Sequence, residues 1–166
     1  MNRVLVAGIG NIFQSDDAFG VEVANRLAAR TLPPGVRVED FGIRGVHLAY
    51  ELLEGYDGLI LIDAVPMGEP PGTLALIEPE TPCPDGDGNG GATVVDAHTM
   101  NPAVVLATLT RLGGSVEKII IVGCQPANLQ EGIGLTPAVA AAVDDAAQMC
   151  IEVVSEMIEP ITKGAR

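Results

Sequence analysis

Asp63 is the residue whose chemistry is hardest to explain by packing alone. It sits inside Gly58-Leu-Ile-Leu-Ile-Asp-Ala-Val65, a near-continuous apolar run of the kind that forms a strand buried on both faces. A carboxylate there is costly to bury without a hydrogen-bond network, a positive charge or a metal ion. A second acidic group, Asp16-Asp17, follows Gly8-Ile9-Gly10-Asn11 and stands just before an apolar-periodic segment. One aspartate suffices to cap a helix there, accepting backbone N–H bonds at its positive end. Asp16 as cap and Asp17 as site residue is a consistent division, and the sequence equally allows the reverse. Of the two histidines, His47 reads as a surface or packing residue of a short helix, whereas His98 lies in a segment leading into a later helix.

Other catalytic patterns are missing. Ser15, Ser115 and Ser155 are the only serines, and none occupies a Gly-x-Ser-x-Gly elbow. Cys83, Cys124 and Cys150 form neither a metal-type pair nor an even disulfide set; Cys124 and Cys150 read as small core residues. Asp85, Asp87, Asn89, Gly90 and Asp96 approximate a calcium loop, but Pro82 and Pro84 deny it the preceding helix, so a solvated loop is the better reading. A dinucleotide fingerprint would need a third glycine at position 13, where Phe13 stands, and the two aspartates would repel a pyrophosphate. The glycines are better explained by a tight turn that presents Asn11 and the aspartates.

Position along the chain brings these residues together. Strands are expected over Arg3–Gly8, Val36–Asp40, Gly58–Val65, Thr73–Ile77 and Val116–Gly123. Helices are expected from Phe19 to about Arg30, over Val46–Leu53, from an Asn101 cap and Pro102 to Arg111, and from Thr136-Pro137 to about Ile158. The link between the third and fourth strands is too short for a parallel crossover, which places the fourth strand antiparallel at a sheet edge. The expected architecture is an α/β three-layer sandwich, βαβαββαβα, with a mostly parallel, mixed five-stranded sheet flanked by helices. It would span residues 1–166 as a single domain with a mobile loop at 81–96. In open α/β sheets functional groups gather beyond the carboxyl ends of the parallel strands. Asp16, Asp17, Asp40, Asp63 and His98 all fall toward that rim.

Bulk properties narrow the partners. With 9 Lys and Arg against 22 Asp and Glu, the net charge is −13, which disfavours nucleic acid and anionic membranes and favours a protein, cation or small molecule. No apolar run reaches the ~20 residues of a membrane span, and the N-terminus runs directly into a strand, so a cytoplasmic protein without membrane insertion is expected.

The ordered motifs resemble the hydrogenase maturation endopeptidases: Gly8-x-Gly10-Asn11, Asp16-Asp17-x-x-Gly20, Asp40-x-Gly42-x-x-Gly45, Ile62-Asp63-Ala64, His98-x-x-x-Pro102, Val122-Gly123 and Gly132-Ile133-Gly134-Leu135-Thr136-Pro137. The set spans nearly the whole chain. The resemblance implies an α/β endopeptidase that removes the C-terminal extension of a [NiFe]-hydrogenase large-subunit precursor after nickel insertion. It implies Asp17, Asp63 and His98 as the metal-binding and catalytic residues, with nickel supplied by the precursor and another divalent metal able to occupy the site in vitro. Asn11, Asp16, Asp40 and Gly42 are the expected substrate-recognition positions. The family often has Glu where this chain has Asp17, and Thr where it has Ile43, which weakens any role for a hydroxyl there. One imidazole and two carboxylates suit a borderline ion and leave coordination positions open. A non-enzymatic nickel-dependent chaperone of the same precursor would use the same triad, and a nucleotide-binding oxidoreductase is the more distant alternative.

Overall fold

Small and branched residues dominate the strands, and these let backbone layers approach closely. The computed structural model describes residues 3–79 and 102–158. Five strands form one sheet: β1 (Val4–Ile9), β2 (Val36–Gly42), β3 (Gly58–Ala64), β4 (Leu74–Ile77) and β5 (Lys118–Cys124), in the order β2-β1-β3-β5-β4. Helices α1 (Phe19–Ala28), α2 (Gly45–Leu52), α3 (Pro102–Arg111) and α4 (Pro137–Ile158) complete the expected βαβαββαβα order. Four strands are parallel, and β4 runs antiparallel to β5 at the edge, as the short preceding link requires. Its neighbour is β5, which the α3 crossover inserts between β3 and β4.

Each face of the sheet is covered. Val4, Val6, Ile60, Ile62 and Val122 pack with α1 and α4 residues such as Phe19, Val23, Val143 and Val154. Leu5, Ala7, Leu59 and Leu61 face the other way, onto Leu48 and Leu52 of α2 and Val105, Leu106 and Leu109 of α3. Every residue of β1 and β3 is buried, which explains their continuous apolar character. Cys124 and Cys150 are core residues, as expected. Burial, with Asp16's charge behind it, pushes the Cys124 thiol up to about 11, and burial pushes Cys150 to about 12. Neither is a thiolate nucleophile at neutral pH.

Two glycines set how closely α1 lies on the sheet. A Cβ on Gly20 would meet Ile62 O at 2.0 Å and Ile9 O at 2.4 Å; one on Gly8 would meet Gly20 O at 2.2 Å. Helix α1 therefore rests backbone to backbone on β1 and β3, which brings the residues before it over the end of β3. Among the described residues no helix is long and apolar enough to cross a membrane. His98, Cys83, the loop expected at 81–96 and the Asn101 cap lie outside the described residues.

Candidate active site

The rim is built at the carboxyl ends of β1, β2 and β3. Between Gly8 and Ile9 the β1–β2 register shifts, so that Ile9 pairs with Gly42 and the Gly10 N–H donates to Gly42 O at 2.9 Å. This bulge turns the chain out of the sheet. Gly10 takes φ +137, and a side chain there would strike Asp17 O at 1.9 Å, so the turn requires glycine. A short 3-10 helix, Ser15–Ala18, follows and was not expected from the sequence. Its tight turn places Asp16 and Asp17 on different sides.

Asp17 faces the rim. It is half-buried, and its Oδ2 accepts the Asn11 N–H at 2.8 Å. Burial raises its proton affinity above the ordinary carboxylate value, against the Asn11 hydrogen bond. Asp63 occupies the penultimate position of β3 and is 7% exposed. Burial holds its carboxyl well above the usual range, and the negative charge of Asp17 adds to the rise, opposed by the Ala64 N–H. The charge of Asp17 thus adds to the cost of ionising Asp63, which favours a proton on Asp63 over a second bare charge. Strand alternation puts Asp63 on the α3 side of the sheet, with Leu59 and Leu61. Helix α3 starts at Pro102, four residues after His98, and runs toward the start of β5, so its first turn is directed at the same rim. Among the described residues no group of three His, Cys, Asp or Glu side chains gathers.

Asn11, Asp40 and Gly42, three of the four expected recognition residues, line one groove of about 290 Å³ with Gly10, Ile12, Phe13, Val21, Phe41, Ile43 and Arg44. Its walls are largely apolar, and Ile12, Phe13 and Ile43 expose large hydrophobic surfaces beside it. Arg44 braces the floor, its guanidinium donating to Asp40 O at 2.6 Å and Phe41 O at 3.2 Å. His47 is an exposed residue of α2.

Asp16 corrects two expectations. It does not cap the helix that follows it: neither the 3-10 helix nor α1 has a side-chain cap. Nor is it a recognition residue, because it is wholly buried. Its carboxylate instead reaches the start of α4, accepting the Thr136 N–H (2.7 Å) and the Thr136 hydroxyl (2.8 Å to Oδ2), and the N–H groups of Ala127 (2.8 Å) and Asn128 (2.9 Å). Burial opposes its ionisation, but these bonds outweigh it and hold the carboxyl below its ordinary value. The chemistry is helix-terminus stabilisation, applied to a helix 120 residues away. Sequence reasoning missed Thr136 as its partner: Thr136-Pro137 was legible as a helix start, but nothing in the sequence tied it to Asp16.

A family profile described as hydrogenase maturation protease matches residues 21–153. The hydrogenase 2 maturation protease of Escherichia coli strain K12 is 32% identical over 98% of this chain and 98% of its own length. The hydrogenase expression/formation protein HupD of Rhodobacter capsulatus is 36% identical over 98% of this chain and 76% of its own. Among solved structures, the hydrogenase maturating endopeptidase HybD from Escherichia coli superposes with a TM-score of 0.75 at 31% identity, covering 93% of each chain.

Proposed function

Since the chain belongs to the hydrogenase maturation protease family, we propose that this peptidase removes the C-terminal extension of a [NiFe]-hydrogenase large-subunit precursor once nickel has been inserted. The observation that carries this reading is the Asp17–Asp63 pair. Two carboxylates with raised proton affinity stand at the rim beside an apolar groove, a poor arrangement for two bare charges and a good one around a cation. Asp17 and Asp63, with His98, would contact nickel carried by the precursor, so the metal arrives as part of the substrate. A nickel-bound carbonyl or water at that point is polarised by the ion's charge. In the alternative, Asp17 or Asp63 takes the proton of the attacking water and nickel serves only for recognition.

The groove suits the other half of the task. Its volume lies at the lower end for small-molecule sites, which is adequate for side chains of an extended peptide. Asp40 and Asn11 would then meet the polypeptide within that groove.

The deciding experiment mixes the purified protein with nickel-loaded and nickel-free precursor and follows precursor mass. The expected result is loss of the C-terminal peptide from the loaded form alone, with Asp17→Ala, Asp63→Ala and His98→Ala each lowering the rate at least a hundredfold, on the order of what one transition-state contact supplies. Equal cleavage of both forms would sink nickel-dependent recognition. Tight precursor binding with no change in mass would favour a chaperone.

A further inference from the structure

Residues 125–136, which follow β5, carry no expected site residue, yet they are bonded to both segments that bear the carboxylate pair. On one side they grip the exit of β3 just beyond Asp63. Gln125 Oε1 accepts the N–H groups of Met67 and Glu69, next to the bond from the Val65 N–H to the O of Cys124, the last residue of β5, at 2.8 Å. On the other side they are laced to the chain before Asp17. The Asp16 N–H donates to Asn128 O, the Ser15 N–H to Gly132 O and the Gly132 N–H to Phe13 O, each at 2.9 Å, and the Ser15 hydroxyl donates to Gln130 O at 2.8 Å. Ser15 is held at φ +53, a left-handed conformation unfavourable for a residue with a Cβ, which the lacing sustains. The Asp16 carboxylate closes this arrangement from inside with its bonds to Ala127, Asn128 and Thr136.

We propose that Asp16 is the positioning residue of the site: through Thr136 and the 125–136 segment it fixes where Asp17 stands relative to Asp63. Asp16 touches no solvent-facing surface and therefore acts only through its neighbour. Rotation of the 3-10 helix by even a fraction of a turn would take Asp17 away from Asn11 and from Asp63. The bonds across residues 13–16 and 127–136 are what prevent that rotation. The inference rests on the endopeptidase reading for its activity measurement, and on geometry alone for its second measurement.

Thr136→Val tests it with little change in volume, removing one hydroxyl donor and leaving three backbone donors to Asp16. On the metal-loaded precursor, kcat is expected to fall about tenfold to a hundredfold, the scale on which small misplacements of reacting groups act. KM should stay within about twofold, because no groove residue is altered. Thr136→Ser, which restores the hydroxyl, should return kcat to within about twofold of the parent. Asp16→Asn should lose more, and if it fails to fold, Thr136→Val decides. Amide hydrogen exchange at Asn11, whose N–H is held by Asp17, should rise about tenfold in Thr136→Val and not in Thr136→Ser. Parent-like kcat together with parent-like Asn11 exchange in a folded Thr136→Val protein would overturn the proposal, as would an equal loss in Thr136→Ser. If the parent itself leaves the precursor uncut, the endopeptidase reading falls and Asn11 exchange alone judges the brace.

Discussion

Asp16 and Asp63 are both buried aspartates of one rim, yet pH should act on them in opposite directions. Asp63 holds its proton more tightly in the folded chain than in the unfolded one, where a carboxyl ionises near 3.9. Folding therefore binds a proton at this residue. Its contribution is most favourable below the unfolded value and is lost as pH rises through the higher folded value. Above the unfolded value, in protein freed of metal, Asp63 is therefore a net cost to folding. Asp63→Asn should accordingly abolish cleavage while raising stability by about 1–2 kcal/mol, the usual gain from relieving a functional site, and the gain should vanish below pH 4. Asp16 has the reverse sign, because its folded value is lowered. Its contribution is present above the unfolded value and is lost as pH falls through the folded one. Asp16→Asn should therefore cost roughly 1–3 kcal/mol at neutral pH, the penalty of leaving buried donors unsatisfied. Urea titrations of both variants at pH 7 and pH 4 check these signs; a destabilised Asp63→Asn at pH 7 would refute the strained-carboxylate account. Only one of these two behaviours was legible beforehand. Asp63 betrays itself because a carboxylate interrupts an apolar strand. The role of Asp16 depends on Thr136, a partner in another part of the chain that no local pattern indicates.

Among the elements, α1 does most to set the site, through contacts that contain no side chain. Gly20 lets the helix settle on the Ile62 and Ile9 carbonyls, so the preceding turn overhangs β3. A methyl group there would meet backbone oxygen on both strands, which a shift of one flexible side chain cannot relieve. Gly20→Ala should therefore destabilise the chain by about 3 kcal/mol or more, at or beyond the upper end of ordinary overpacking, and lower the melting temperature by roughly 6–12 °C. It should also reduce cleavage at temperatures where the variant remains folded, because Asp17 is lifted from Asp63. A variant with parent melting temperature and parent rate would show that α1 can adjust freely. The regular elements were readable because each buried strand is an apolar run and each helix carries a 3.6-residue period. The edge position of β4 followed from the length of one link. The 3-10 helix at Ser15–Ala18 was not readable, since its conformation depends on hydrogen bonds that Ser15 and Asp16 donate to carbonyls of residues 128–132 rather than on local preference. The β1 bulge at Gly8/Ile9 was hidden for the same reason: it depends on where β2 ends.

At the scale of the whole molecule, the charge of −13 and the carboxylate pair both respond to cations, and the two responses can be separated. General self-repulsion is relieved by any salt, because the screening length falls from about 30 Å at 0.01 M to about 8 Å at 0.15 M. Sodium chloride should therefore raise the melting temperature of the parent and of every site variant alike. A cation seated between Asp17 and Asp63 acts differently, by binding the folded chain in preference to the unfolded one. At a concentration a hundredfold above its dissociation constant, nickel should add about 2.7 kcal/mol, or roughly 5–11 °C for a chain of this length, beyond sodium chloride of equal ionic strength. This holds even if the affinity is weak, as the proposed delivery of the metal by the precursor would entail. Asp17→Ala and Asp63→Ala should remove the excess and leave the sodium response intact. His98→Ala should do the same if its imidazole completes the ligand set, which makes this the most direct measure of that residue's place at the rim. Thermal melts of the four proteins in matched sodium and nickel salts give the result. A nickel excess that survives all three substitutions would assign the binding to surface carboxylates and leave the triad without a metal. An excess lost in the aspartate variants but kept in His98→Ala would leave a two-carboxylate site, with the remaining coordination positions filled by the precursor itself.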